Sequence, residues 1–158
     1  MTDLKIRKLE ESDFDAFAQL VGLCFREDYK LELNDAQVNE VSKTMTQQAK
    51  NDIAHTDLLC VDGIAIGFIQ YQIDSPKSDW CEKEGWGCIR EMYISNEYRK
   101  KGYGKTLATH AENELKKLLA AHIYLTTDDA LDFWLNVGYV DSGEICEKND
   151  GNILVKQA

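Results

Sequence analysis

One proline interrupts 158 residues, three histidines are scattered along them, and no two of the five cysteines form a C-x-x-C pair. Each scarcity excludes something. With so little proline, and with 44% hydrophobic against 29% charged residues, the chain is neither a proline-rich disordered segment nor collagen-like, and its composition is that of a packed globular protein. Cys24, Cys60, Cys81, Cys88 and Cys146 are odd in number and lack zinc-ligand spacing, so reduced thiols are expected, with Cys24, Cys60 and Cys88 acting as small hydrophobes in apolar segments. His55, His110 and His122 stand alone in sequence, and no metal site is expected. No apolar stretch approaches the roughly 20 residues of a membrane span. The start, Met1-Thr2-Asp3-Leu4-Lys5, alternates polar with apolar where a signal peptide would be basic and then continuously apolar. The expectation is a cytoplasmic protein without a membrane partner. Repeats, low-complexity tracts and linkers are also missing, which predicts a single domain over residues 1–158.

Positive charge is scarce as well. Eighteen Lys and Arg face 28 Asp and Glu, a net charge of −10, and phosphate-backbone binding relies on clustered cations that release counterions. Nucleic acid is therefore excluded as a partner, while a small cationic substrate would be attracted.

The periodicities order the elements. Leu4 to Arg7 alternates as a strand. Ser12 with Asp15 resembles a capping box, followed by Phe14, Phe17, Val21, Cys24 and Phe25 at helical spacing. Asn34 is placed to cap a second helix whose apolar positions are Val38, Val41, Met45 and Ala49, leaving Glu40, Lys43 and the glutamines wet. From Asp57 the period becomes two, and Asp62-Gly63 between Leu58–Val61 and Ile64–Ile73 predicts a hairpin. A charged loop, 75–85, precedes a strand from Trp86 to Ser95. A helix from Tyr103 to Ala120 has Leu107, Ala111, Leu115, Leu118 and Leu119 on one face, a strand begins at His122, Asp128 and Asp129 open a further helix, and two strands close the chain.

Chemistry concentrates between the strand ending near Ser95 and the helix starting near Tyr103. Arg99-Lys100-Lys101-Gly102-Tyr103-Gly104-Lys105-Thr106 combines glycines that let backbone amides converge, a helix N-terminus with unsatisfied donors, and surrounding cations. It reads as a cradle for a pyrophosphate. A P-loop would need glycine where Arg99 stands, and a dinucleotide fingerprint would need glycine where Leu107 stands. A purely structural turn explains the glycines but not three adjacent cations in an acidic chain.

Met92-Tyr93-Ile94 followed by Tyr98-Arg99-Lys100-Lys101-Gly102-Tyr103-Gly104 resembles motif A of the GNAT superfamily of N-acetyltransferases, an apolar-x-apolar strand end followed by Q/R-x-x-G-x-G/A. The run Ala130-Leu131-Asp132-Phe133-Trp134-Leu135-Asn136-Val137-Gly138-Tyr139 is similar to that family's A-x-x-F-Y/W-x-x-x-G-F/Y segment. The resemblance implies an α/β (α+β-like) fold, with a mixed, mostly antiparallel central sheet and helices on both faces. It also implies an enzyme that moves acetyl from acetyl-coenzyme A, as cosubstrate, to a primary amine, here a small cationic one. Coenzyme contacts then fall on the backbone of Met92, Tyr93 and Ile94, at a bulge where the strand splays from its neighbour, and on Arg99, Lys100, Lys101, Gly102, Tyr103, Gly104, Lys105 and Thr106.

Glu91 is the implied general base, since some relatives carry a carboxylate just before the strand end; the competing reading is a strand carboxylate that faces water or pairs locally. The family's usual acid, a tyrosine, is replaced here by Trp134, whose indole N–H cannot serve as a thiol acid. Tyr139 is the substitute carried forward, with Tyr124, solvent or an unassisted thiolate as the other options. Two alternatives stay open: acetylation of a protein lysine or N-terminus, and a non-catalytic module that binds coenzyme A. The acidic and aromatic run Glu27, Asp28, Tyr29, Glu32 and Asp35 reads either as a rim for a cationic acceptor or as a solvated loop. A homodimer through the C-terminal strands is a further implication.

Overall fold

The structure, a computed structural model, describes residues 2–158. Among them the elements run β1 (Leu4–Lys8), α1 (Phe14–Asp28), α2 (Asp35–Lys50), β2 (His55–Val61), β3 (Ile64–Ile73), β4 (Gly87–Ile94), α3 (Tyr103–Lys117), β5 (His122–Thr127), α4 (Leu131–Asn136), β6 (Val140–Ile145) and β7 (Asn152–Gln157). Hydrogen-bonded neighbours give the sheet order β1-β2-β3-β4-β5-β7-β6. The β1–β2, β5–β7 and β6–β7 pairs are antiparallel and β4–β5 is parallel. The parallel pair β4–β5 is joined by a helical crossover, α3, because parallel neighbours need a long connection. This is the mixed, mostly antiparallel α+β sheet that the sequence implied.

Two units can be told apart: the chain up to Gln70 with Glu91–Leu107, and Tyr71–Arg90 with Ala108–Ala158. In the first, the amphipathic stripe of α1 puts Phe17, Leu20, Val21 and Cys24 into a core with Met45, Leu58, Cys60, Phe68 and Tyr93. Phe17 meets Phe68 edge to face at 5.3 Å, and full burial of such a side chain is worth roughly 1.5–3 kcal/mol. Asn34 caps α2 as expected, accepting from the Gln37 N–H at 2.9 Å while Gln37 accepts from the Asn34 N–H. The hairpin turn also forms as read, with Asp62 at φ 51 and Gly63 at φ 82, the two positive angles of a type I′ turn.

Three local expectations are corrected. The capping box lies two residues earlier than Ser12 and Asp15: Glu10 and Asp13 exchange bonds around a 3-10 turn over Glu11–Asp13, where Asp13 is also gripped by the Arg7 guanidinium at 2.7 and 2.8 Å. Gln48 is buried rather than wet, satisfied by a bond from the Gln70 side chain at 3.1 Å. Leu118 and Leu119 lie beyond the end of α3, and Leu119, with φ 70, is 90% exposed. Leu107, Ala111 and Leu115 are the buried positions of that face.

In the second unit, Cys88, Tyr124, Cys146 and Ile153 form a core backed by Trp80, Trp86 and Val155. The loop after β3 is held by a buried carboxylate. Asp74 accepts from the N–H groups of Glu82 and Lys83, both at 2.9 Å, from the Gln72 amide at 2.9 Å and from the Tyr124 hydroxyl. The last helix begins three residues later than its acidic pair suggested, at Leu131, after Thr127 accepts from the Ala130 N–H at 3.1 Å.

β4 is irregular along its length. The Ser95 N–H donates to the Ile66 carbonyl at one end of the β3–β4 pair, and the Asp74 N–H donates to the Trp86 carbonyl at the other. β3 spans that interval, from 66 to 74, in one residue fewer than β4 uses from 86 to 95, which is the signature of a β-bulge in β4. On its other edge, the ladder with β5 comprises Gly87 with Ile123 and Cys88 with Tyr124, two pairs for a strand of eight residues.

Candidate active site

Glu91 follows the midpoint of β4, partly buried, where the last turn of α1 reaches it. The Tyr29 hydroxyl donates to Glu91 Oε2 at 2.6 Å, and the Cys24 thiol lies 3.8 Å from Oε1 and 3.8 Å from an Asp28 oxygen. Burial, then the charge of Glu91, pushes the Tyr29 phenol and the Cys24 thiol well above their ordinary ranges. Both therefore keep their protons and act as donors to the carboxylate. Tyr29 is 51% exposed as a residue, and its hydroxyl is directed at Glu91.

The turn that leaves β4 is a nest of backbone amides. Lys100 has φ 62 and Gly102 φ 85, so two left-handed residues flank Lys101 after an extended Arg99, and a turn with such residues can aim neighbouring N–H groups at one anion. A Cβ built on Gly102 would find nothing within 4 Å, so the space beside this residue is open. α3 starts at Tyr103 with its first-turn amides on this side, while Thr106 turns its hydroxyl back to the Gly102 carbonyl at 3.1 Å. Lys100, Lys101 and Lys105 are exposed. These residues fit a pyrophosphate.

Arg99 behaves differently from its neighbours. Its guanidinium donates to the Ile94 carbonyl at 2.8 Å and to Glu27 at 3.0 Å, lies 3.7 Å from Asp28 and covers the Tyr93 ring at 5.4 Å. Its charge is thus engaged by α1, leaving its backbone as the part that can serve the cradle. Of the strand-end residues, Tyr93 and Ile94 are buried and Met92 partly so. The Tyr93 phenol is pushed up by burial and by nearby Glu27.

The aromatic candidates of the second unit are tied into their own surroundings. Tyr139 is 2% exposed, and its hydroxyl donates to Glu112 at 2.8 Å while Lys156 sits over its ring and pairs with the same carboxylate. Tyr124 accepts from the Trp80 indole at 3.0 Å and donates to Asp74. Burial and the adjacent acids raise both phenols far above their usual range. Trp134 is buried edge-to-face between Phe133 and Tyr139 at 4.9 and 5.4 Å, the packing role its indole suits.

The sequence pointed to Glu91 and to the glycine turn, and the structure puts Glu91 together with two partners the sequence did not pair with it. Cys24 was read as a small hydrophobe and Tyr29 as part of an acidic run; they lie 67 and 62 positions away from Glu91, a separation no local pattern encodes. Among the described residues no three His, Cys, Asp or Glu side chains are grouped to hold a metal ion, and no helix is long and apolar enough to cross a membrane.

The sheet order and its helices are those of an α+β acetyltransferase fold. Residues 14–139 match the acetyltransferase (GNAT) family, and the chain belongs to that family. Among solved structures it is similar to PaiA N-acetyltransferase from Thermoplasma acidophilum in complex with coenzyme A, 18% identical over 99% of both chains with a TM-score of 0.75. A GNAT-family acetyltransferase from Staphylococcus aureus is 16% identical over 98% of this chain and 99% of that one, with a TM-score of 0.74. The aminoglycoside N-acetyltransferase AAC(6')-Iy in complex with coenzyme A is 13% identical over 92% and 93%, also at 0.74. At such identities the likeness shows the fold. No curated protein matches the sequence significantly.

Proposed function

We propose that residues 1–158 act as one domain that transfers acetyl from acetyl-coenzyme A to the nitrogen of a small cationic primary amine. The observation that carries this reading is Glu91, a carboxylate hydrogen-bonded at the end of α1, set on the strand that runs directly into the open amide nest of Lys100–Thr106. The coenzyme supplies a thioester acyl group. Backbone amides of the nest, with Lys100, Lys101 and Lys105, would hold its pyrophosphate. The β4 backbone at Met92, Tyr93 and Ile94, beyond the two-pair ladder with β5, would hold the acyl arm, and an N–H there would polarise the carbonyl. Glu91 accepts the proton that the amine nitrogen loses as its bond to the acyl carbon forms. The thiolate then leaves and takes its proton from solvent, since a thiol of pKa near 8.5 needs little help. Tyr139 could donate that proton only by giving up its bond to Glu112.

A cationic acceptor is supported by Glu27, Asp28 and Glu91 around the last turn of α1 and by the net charge of −10. The coenzyme-bound state of two of the similar structures supports the cosubstrate. Binding is tested by thermal denaturation with acetyl-coenzyme A. At about a hundredfold excess over Kd a native-state ligand adds about 2.7 kcal/mol, or roughly 5–10 °C for a chain of this size. Turnover is tested by thiol release over a panel of polyamines, aminoglycosides and lysine-type amines. Glu91→Gln should abolish the acid limb of the pH profile and lower turnover at least a hundredfold. Binding without turnover on any amine would favour a coenzyme-sensing module, and turnover on peptides alone would move the acceptor to protein.

A further inference from the structure

We propose that Tyr29 is a positioning residue for this reaction, its hydroxyl fixing the Glu91 carboxylate in the orientation from which it receives the amine proton. The inference rests on the assignment of Glu91 as base and adds a residue to it. Tyr29 is the C-cap of α1, and three separate ties hold it there. The Tyr29 and Leu31 N–H groups both donate to the Phe25 carbonyl, at 3.2 and 3.0 Å, around a left-handed Lys30 at φ 56, so a left-handed residue just past the cap turns the chain back on the helix end. The Tyr29 ring leans on Phe25 with centroids 5.2 Å apart. Arg99 clamps the preceding residues, bonded to Glu27 and close to Asp28 while holding the Ile94 carbonyl of the same strand that carries Glu91.

These ties leave the phenol little freedom, so the 2.6 Å bond to Glu91 is built into the end of the helix rather than made by a loose surface side chain. From α1 and its cap, Cys24 and Tyr29 meet this carboxylate, Asp28 shares the Cys24 thiol with it, and Arg99 reaches Asp28 from the following turn. Asp28 repels a second negative charge, whereas Tyr29 donates to it and therefore favours the ionised, proton-accepting form of Glu91.

The sign follows. Without the hydroxyl, the carboxylate loses a donor, holds its proton more tightly and becomes a competent base only at higher pH. Tyr29→Phe keeps the ring on Phe25 and removes one oxygen. We expect the acid limb of kcat/KM to move up by about one pH unit, so that turnover falls about tenfold on the acid side and little on the plateau. Side-chain 13C NMR of the protein alone should show the Glu91 titration displaced by the same amount. In the Glu91→Gln background, Tyr29→Phe should change turnover less than twofold, because its effect passes through the carboxylate. An unmoved Glu91 titration in Tyr29→Phe overturns the positioning role whatever the enzyme acetylates. A Glu91→Gln enzyme that keeps its acid limb overturns instead the base assignment on which the role depends.

Discussion

Replacing Gly102 by alanine separates the cradle's chemistry from its backbone geometry. Gly102 sits at φ 85, and the position of its missing Cβ is empty to 4 Å, so the methyl meets no protein atom and its cost to folding is conformational alone. A left-handed angle costs an L-residue about 1–2 kcal/mol. At roughly 2–4 °C per kcal/mol for a domain of this size, the melting temperature should fall by about 2–8 °C. Gly63 supplies the matched control: it lies in the β2–β3 hairpin turn at φ 82, also with nothing within 4 Å, so Gly63→Ala should cost about the same. The two variants diverge with the ligand. If pyrophosphate approaches the concave side of the nest, the methyl of Gly102→Ala occupies its path, and affinity for coenzyme A should drop at least tenfold, about 1.4 kcal/mol, while Gly63→Ala binds as the parent does. Calorimetric titration of the folded variants with coenzyme A measures this directly. Equal affinities in the two would refute the assignment of Lys100–Thr106 as the phosphate site and leave a strand-to-helix turn in its place.

Two other perturbations probe the second unit. Asp74→Ala orphans the Glu82 and Lys83 N–H groups, the Gln72 amide and the Tyr124 hydroxyl at once; with about 1–3 kcal/mol per buried orphan, partly relieved by water, the expected loss is about 3–5 kcal/mol in urea unfolding, and a loss under 1 kcal/mol would show that the loop is held by something else. Trp134→Phe keeps an aromatic ring in the packing with Phe133 and Tyr139 and should leave kcat within about tenfold, or about 1.4 kcal/mol of barrier; a larger loss in a folded variant, read by steady-state thiol release, would give the indole a part in the reaction.

Periodicity and turn signals together located the elements: Phe17, Val21 and Cys24 recur at helical spacing, and the unbroken apolar run Leu58 to Val61 before Asp62-Gly63 marks a strand buried on both faces. The errors lie where tertiary contact outweighs local pattern. Ser12 suits a cap by residue type, but Arg7 recruits Asp13 and the capping box forms two residues upstream. Gln48 looked wet by composition and is buried because Gln70, across the fold of the first unit, satisfies its amide. Leu118 and Leu119 continued the apolar face in sequence after the helix itself had stopped at Lys117.

The candidate site divides the same way. The candidate cradle was legible as far as Gly102 and the neighbouring lysines, which are contiguous in the chain, whereas the left-handed Lys100 carries no such mark. The side-chain part of the site was legible only as far as Glu91. What a carboxylate does depends on which donors face it, and those come from the end of α1, where Tyr29 and Cys24 carry no mark in sequence of the company they keep. Arg99 makes the point in reverse. Read in the chain it is one more cation beside a phosphate cradle; in the fold its guanidinium joins Glu27, Asp28 and the Ile94 carbonyl. It ties the turn that would hold the coenzyme to the helix end that meets Glu91. A substitution such as Arg99→Gln should therefore disturb Glu91 through Tyr29 as well as the nest, and its effect on the acid limb would report on that connection where a simple phosphate ligand would change coenzyme affinity alone.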